Sequence, residues 1–182
     1  MSSFVIRSRL AASGILLGAA MLVLSGCGAM KSVSRSLGHK AVFTEIFIEA
    51  TPDEVWAVIT DAPSYGDWNS VIIEAKGSYG TGAKIENLVV ENDGSQAWIT
   101  SKVELFDPPH RLNQFGGYLG VITFDHHYIL EAVEGGTNVI QREDYTGLYV
   151  HFWDAEWLQD GYSLVNQGLR DEVLRRKAAS GG

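Results

Sequence analysis

The sequence predicts an α+β fold, with an antiparallel sheet closed by one long C-terminal helix. Three observations predict it. Trp153, Trp157, Leu158, Tyr162, Val165, Leu169 and Val173 recur mostly at spacings of three and four, which lines them along one face of a helix from Trp153 to about Arg176. Nearly everything between residues 41 and 147 reads as strand. The connections between those strands are short, which favours antiparallel neighbours. At 182 residues the chain holds one domain with room for an extension. A hydrophobic fraction of 46% is enough for a real core. The net charge of −8 excludes a nucleic-acid surface, which needs a basic stripe.

In order, the chain opens on Arg7 and Arg9, then an apolar run from Leu10 to Leu24 broken only by Ser13. About fifteen residues is short for a membrane span, so residues 1–26 read as a secretory signal peptide, or as an uncleaved anchor helix. Leu24-Ser25-Gly26-Cys27 resembles the lipobox of bacterial lipoproteins. That resemblance implies cleavage before Cys27 and acylation of the cysteine, palmitate included. It also implies attachment to the cell envelope, with Gly28 directing the protein to the outer membrane facing the periplasm. Residues 27–40 then form a lipid-anchored tether, with Lys31, Arg35 and Lys40 near the headgroups. A single cysteine excludes an internal disulfide framework, and no Cys/His spacing suits a metal, so neither metal nor cofactor is expected.

Ala41–Glu49 alternates as a strand. Thr51-Pro52-Asp53-Glu54 then starts a short helix, with Thr51 as N-cap, proline in the first helical position and Glu54 completing a capping box. Its buried face is Val55, Trp56 and Ile59, and it stops before Pro63. Residues 63–69 form a second short turn of helix or loop. Strands follow over residues 70–76, 83–91, 96–106, 111–117, 121–131 and 138–148, separated by Gly-rich turns, by the hairpin signal Asp93-Gly94 and by Pro108-Pro109. In the closing helix, Gly161 and Gly168 lie nearly on one side. Each costs about 1 kcal/mol relative to alanine, so the helix needs room there.

This order of elements, with Ala50-Thr51-Pro52-Asp53-Glu54-Val55-Trp56, Thr60-Asp61, Tyr65-x-x-Trp68-Asn69, His126, Leu130-Glu131, Gly136-Thr137, Gln141-x-Glu143, Gly147, Gly161-Tyr162, Asn166 and Leu169-Arg170, resembles the START-like (SRPBCC, Bet v 1-like) superfamily. The resemblance is to its polyketide cyclase/dehydrase and lipid transport type. It covers residues 41–176; Ser70 departs from it, where the family usually has proline. It implies a helix-grip fold, a curved seven-stranded antiparallel sheet wrapped around the C-terminal helix with a cavity between them. The ligand-binding domain then spans residues 41–177, followed by a disordered tail over 178–182.

The last hairpin, turning at Gly135-Gly136, fixes which residues could line that cavity. Pairing Leu130 with Val139 places Tyr128 opposite Gln141 and His126 opposite Glu143, all on one face, with His127 and Arg142 on the other. The inward surface is expected to carry His126, Tyr128, Gln141, Glu143 and Tyr145, joined by Trp68, Trp98, Trp153, Trp157 and Tyr162. A carboxylate beside an imidazole raises its pKa and orients it, so His126 with Glu143 fits acid–base catalysis, ligand hydrogen bonding or a structural polar pair. No Gly-x-Ser-x-Gly elbow or phosphate loop is present. The sequence therefore favours a membrane-tethered carrier for a small apolar ligand, such as a lipid or polyketide. A cyclase or dehydratase using His126 and Glu143 is the rival.

Overall fold

The computed structural model describes residues 28–181; the signal peptide expected over residues 1–26 and the acylation expected at Cys27 lie outside the described residues. The first element (α1) is a helix over residues 28–37. Strand β1 (His39–Ile48) runs into α2 (Pro52–Ile59), a 3-10 turn (Ala62–Ser64) and α3 (Tyr65–Trp68). Thr51 and Glu54 form the expected capping box, each side chain holding the other's backbone N–H. Six strands follow: β2 (Ile72–Lys76), β3 (Lys84–Val90), β4 (Gln96–Asp107), β5 (Arg111–Tyr118), β6 (Ile122–Val133) and β7 (Gly136–Thr146). A 3-10 turn at Leu148–His151 precedes α4 (Trp157–Ser180).

The seven strands form one antiparallel sheet in the order β1-β7-β6-β5-β4-β3-β2. The sheet curls into a half-barrel around α4, the helix grip that the sequence led us to expect. The close backbone neighbours of α4 are β1, α2 and α3. The helix thus lies against one edge of the sheet and the helical connection between the two edge strands, leaving it clear of the middle strands. Gly168 permits that placement, because a Cβ there would overlap the Trp68 carbonyl oxygen. At Gly161 an added Cβ would meet the Trp157 ring at 3.3 Å, a tighter version of ordinary packing.

Three expectations change. The closing helix begins at Trp157 rather than Trp153, since Trp153 lies in the loop before it, packed edge-on against Tyr145 with centroids 4.7 Å apart. Its other end runs to Ser180, so residues 178–180 extend the last helical turn instead of starting a disordered tail. Of the stretch read as a tether, residues 28–37 form a helix docked on the outer face of the sheet. Its cations are engaged there: Lys31 pairs with Glu104 at 2.7 Å and Arg35 with Asp144 at 3.2 Å. Lys40 donates to the Trp153 carbonyl at 2.6 Å. Ser34, fully buried, donates to no solvent; its Oγ accepts from the Gly120 N–H and from the Thr146 hydroxyl. Beneath this helix Asp144 takes His39, Arg35 and Arg142 at once. Burial works to raise its pKa, but those hydrogen bonds and charges hold it below the usual range. No helix among the described residues is long and apolar enough to cross a membrane.

Candidate functional site

The hairpin of β6 and β7 builds one wall of the site. Its register is the expected one: Leu130 pairs with Val139, Tyr128 with Gln141, and His126 with Glu143. Strand alternation then turns His126, Tyr128, Gln141 and Glu143 inward, all of them buried. His127 and Arg142 face out, beside Asp125 and Asp144.

Across from that wall stands α4, and between them lies a cavity of about 950 Å³. Close-packed interiors leave few voids larger than a water molecule. A volume with room for roughly thirty waters is therefore a built feature, at the upper end of ligand pockets. Apolar side chains including Val71, Val89, Ile99, Phe124, Leu158 and Val165 make up much of its lining.

The two titratable groups on the β6–β7 wall, His126 and Glu143, are neutralised by their surroundings. Burial pushes the His126 imidazole down to about 3. Its Nε2 lies 3.0 Å from Gln141 Nε2, so the amide N–H donates and the ring keeps its proton on the other nitrogen. Glu143 moves the opposite way, with burial pushing its carboxyl up to about 8 against the opposing hydrogen bond from Tyr145. The Tyr145 hydroxyl donates to Glu143 Oε2 at 2.5 Å, and the Tyr162 hydroxyl from α4 donates to the same oxygen. At neutral pH the wall therefore presents a neutral imidazole and a protonated carboxyl.

The expected pairing of His126 with Glu143 is corrected by this geometry. The two are register partners, yet His126 bonds its diagonal neighbour and Glu143 is taken by two tyrosines. The imidazole pKa falls rather than rises, because burial outweighs any nearby carboxylate. Tyr128, Tyr145, Trp157 and Tyr162 line the cavity together with His126, Gln141 and Glu143. Trp68 does not serve as expected, and Trp98 does so only from the margin. Trp68 is core, buried against Tyr65 with ring centroids 4.9 Å apart and outside the cavity lining. Trp98 borders the cavity but is 48% exposed, with the Lys76 ammonium 3.9 Å from its ring centroid. It pairs with Leu88 on the outward row, while Ile99 beside it faces in.

A second polar strip went unseen in the sequence. Asn87 on β3 donates to Ser101 on β4 at 3.3 Å, and Ser101 donates in turn to Gln114 on β5 at 3.3 Å. The available signal was alternation: Asn87 sits between Ile85 and Val89, and Gln114 two places after Leu112, on rows that are otherwise apolar. The buried acceptors Asn87 Oδ1 and Gln141 Oε1 have no protein partner. Asn69 acts structurally at the rim, accepting from the Val71 and Ile72 N–H groups at 2.9 and 2.7 Å. No lysine or arginine lines the cavity among the described residues, and none of their His, Cys, Asp or Glu side chains cluster in a way that could hold a metal ion.

A family model described as polyketide cyclase/dehydrase and lipid transport matches residues 39–173. No curated protein matches the chain in sequence. Among solved structures, the Zhui aromatase/cyclase from Streptomyces sp. R1128 is 16% identical with a TM-score of 0.65, covering 80% of this chain and 99% of that one. A protein from Rhodobacter sphaeroides is 21% identical with a TM-score of 0.62, covering 74% and 92%. The protein Ara h 8.0201 is 16% identical with a TM-score of 0.58, covering 76% and 99%. At such identities the likeness establishes the shared fold, not a shared ligand.

Proposed function

The chain belongs to the polyketide cyclase/dehydrase and lipid transport family, and from that premise we propose that it carries one small, neutral, mostly apolar molecule in its cavity while held on the envelope membrane through Cys27. The void of about 950 Å³ between α4 and the sheet carries this reading. A fold that needed only stability would have filled it, since each missing contact costs dispersion energy.

The lining supports the ligand class. With no cation to pair an anionic head, a carboxylate or phosphate would enter at a high desolvation cost. Asn87 Oδ1 and Gln141 Oε1 instead offer acceptors to hydroxyl or amide donors on the guest. A lipid or polyketide with neutral hydroxyl groups fits that chemistry. The anchor rests on Leu24-Ser25-Gly26-Cys27 and the apolar run before it. Several acyl chains hold a protein at a bilayer where one alone is marginal.

The enzyme reading keeps one observation of its own. A neutral His126 and a protonated Glu143 share one wall, which is the protonation state a base and an acid need to act on a neutral substrate. A His126→Ala protein that binds its ligand normally but no longer converts it would establish that reading.

Val89→Trp tests the carrier directly, because Val89 is half-buried on β3 and projects into the void. Binding of the neutral probe N-phenyl-1-naphthylamine, followed by fluorescence, is expected to weaken at least tenfold, about 1.4 kcal/mol. The melting temperature should stay close to wild type. Equal probe affinity in the two proteins would contradict a ligand held in this cavity.

A further inference from the structure

The mouth of the cavity carries an apolar surface that the carrier reading does not use. Tyr118 and Phe152 are 78% and 77% exposed, and Val121, Leu148 and Tyr149 are about half exposed. They come from two segments, the β5–β6 turn and the 3-10 turn after β7, which the backbone stitches together. Leu148 N–H donates to Gly120 O at 3.1 Å and Tyr149 N–H to Val121 O at 2.9 Å. Tyr118 and Tyr149 also border the cavity, so the patch forms one side of the mouth, while Glu91, Asp93 and Asp154 border it elsewhere. In a chain with 22 acidic residues, residues 114–122 hold no charged side chain and residues 145–153 only His151.

Helix α1 extends the same surface. Met30, Val33 and Leu37 are exposed on its outward face while Ser34 is buried beneath it. Met30 and Val33 share a shallow apolar notch with Leu119, and Leu37 reaches Gly120. Residue 28, the first described residue of this helix, follows Cys27 directly in sequence, so the proposed anchor joins the described structure at this patch.

We propose that the cavity mouth docks face-down on the lipid bilayer, with Tyr118, Val121, Leu148 and Phe152 seated at the headgroup–acyl boundary and α1 lying alongside. This deepens the carrier reading and rests on its membrane attachment. Exposed apolar patches of this kind mark interaction sites, and Tyr, Phe and Trp rings with few charges suit the membrane interface. Docking in this pose opens the cavity onto the bilayer, so an apolar guest exchanges without crossing water. A ligand-carrying domain tethered by a short segment gains speed from such contact because the apolar guest never pays full hydration.

The full-length chain, purified with its anchor and reconstituted into phosphatidylcholine vesicles, tests the pose. Phe152→Trp is compared with Phe47→Trp, which lies at the far end of β1, roughly 30 Å along the strand from Gly38. Phospholipid carrying a shallow nitroxide should quench the fluorescence that Phe152→Trp adds over wild type several-fold more than the fluorescence that Phe47→Trp adds. A Val121→Asp, Phe152→Asp protein, altered at exposed positions outside the cavity lining, should take up N-phenyl-1-naphthylamine as wild type does in detergent. Its transfer of that probe from vesicles should slow several-fold. Equal quenching at the two positions in protein that floats with the vesicles overturns docking and leaves the carrier intact. Selective quenching in protein that never takes up the probe supports docking and refutes the carrier. Protein that does not float, or a patch buried in a dimer of the chain, overturns docking as well.

Discussion

Gly168→Ala should destabilise the protein by about 1–3 kcal/mol, the range for forcing atoms into a packed site. Helix propensity alone predicts the reverse, a gain of about 1 kcal/mol for removing a glycine from a helix interior. The contact decides the sign. The added Cβ would overlap the Trp68 carbonyl oxygen, with the Trp68 carbonyl carbon and Cα close behind. That obstacle is backbone, fixed by the following Asn69, whose side chain caps two N–H groups. Neither α3 nor α4 can yield without moving the other edge of the cavity. Urea denaturation should show the loss as a lower midpoint at unchanged slope. Gly161→Ala, which meets only a ring edge and a valine methyl, should be far milder.

Raising the pH from about 5 to about 9 should cost the protein about 2 kcal/mol of stability, lost at about 1.4 kcal/mol per pH unit between about 6.5 and about 8. Glu143 is responsible. Its folded pKa, pushed up by burial to about 8 from an ordinary 4.5, makes the unfolded chain release its proton first. Stability is thus complete below the unfolded value and is lost as pH rises through the folded one. His126 acts from the other side. Burial depresses its pKa from 6.5 to about 3, so its contribution is present above 6.5 and is lost as pH falls toward 3. Between roughly 4.5 and 6.5 the two effects cancel, and stability should be flat. Asp144 and Glu172 steepen the acid limb, because their cationic partners hold both carboxyls below the usual range. Glu143→Gln keeps an oxygen for the two tyrosine hydroxyls and cannot ionise. Its denaturation midpoints should match wild type near pH 5 and exceed them near pH 9, and parallel losses in both proteins would remove Glu143 as the cause.

What the sequence revealed well was whatever depends on neighbours along the chain or directly across a hairpin. Thr51-Pro52-x-Glu54 specifies its cap through contacts three residues apart. Gly135-Gly136 fixes the turn that sets the register of β6 on β7, and with it the inward direction of His126, Tyr128, Gln141 and Glu143. The resemblance supplied the grip of sheet on helix. Contacts set by a third element were not legible. Glu143 is claimed by Tyr162 from α4, which no strand-pairing rule foresees, and this leaves His126 to Gln141. Trp98 and Ile99 are both apolar neighbours on one strand, so alternation alone does not say which faces in; the Lys76 ammonium over Trp98 marks the outward row. Trp68 reads as lining only until Gly168 draws α4 down over it. The docking of α1 depended on Asp144 and Ser34, two polar residues whose burial becomes visible only when residues more than a hundred positions apart meet.

Native mass spectrometry of the full-length protein, purified in mild detergent from the cells that make it, shows whether a guest occupies the cavity. One neutral small molecule per chain is predicted, over and above the mass of any acyl group proposed for Cys27, and it should be missing from Val89→Trp prepared alongside. A wild-type protein that repeatedly arrives empty and takes up no neutral fatty-alcohol or sterol probe would contradict the account.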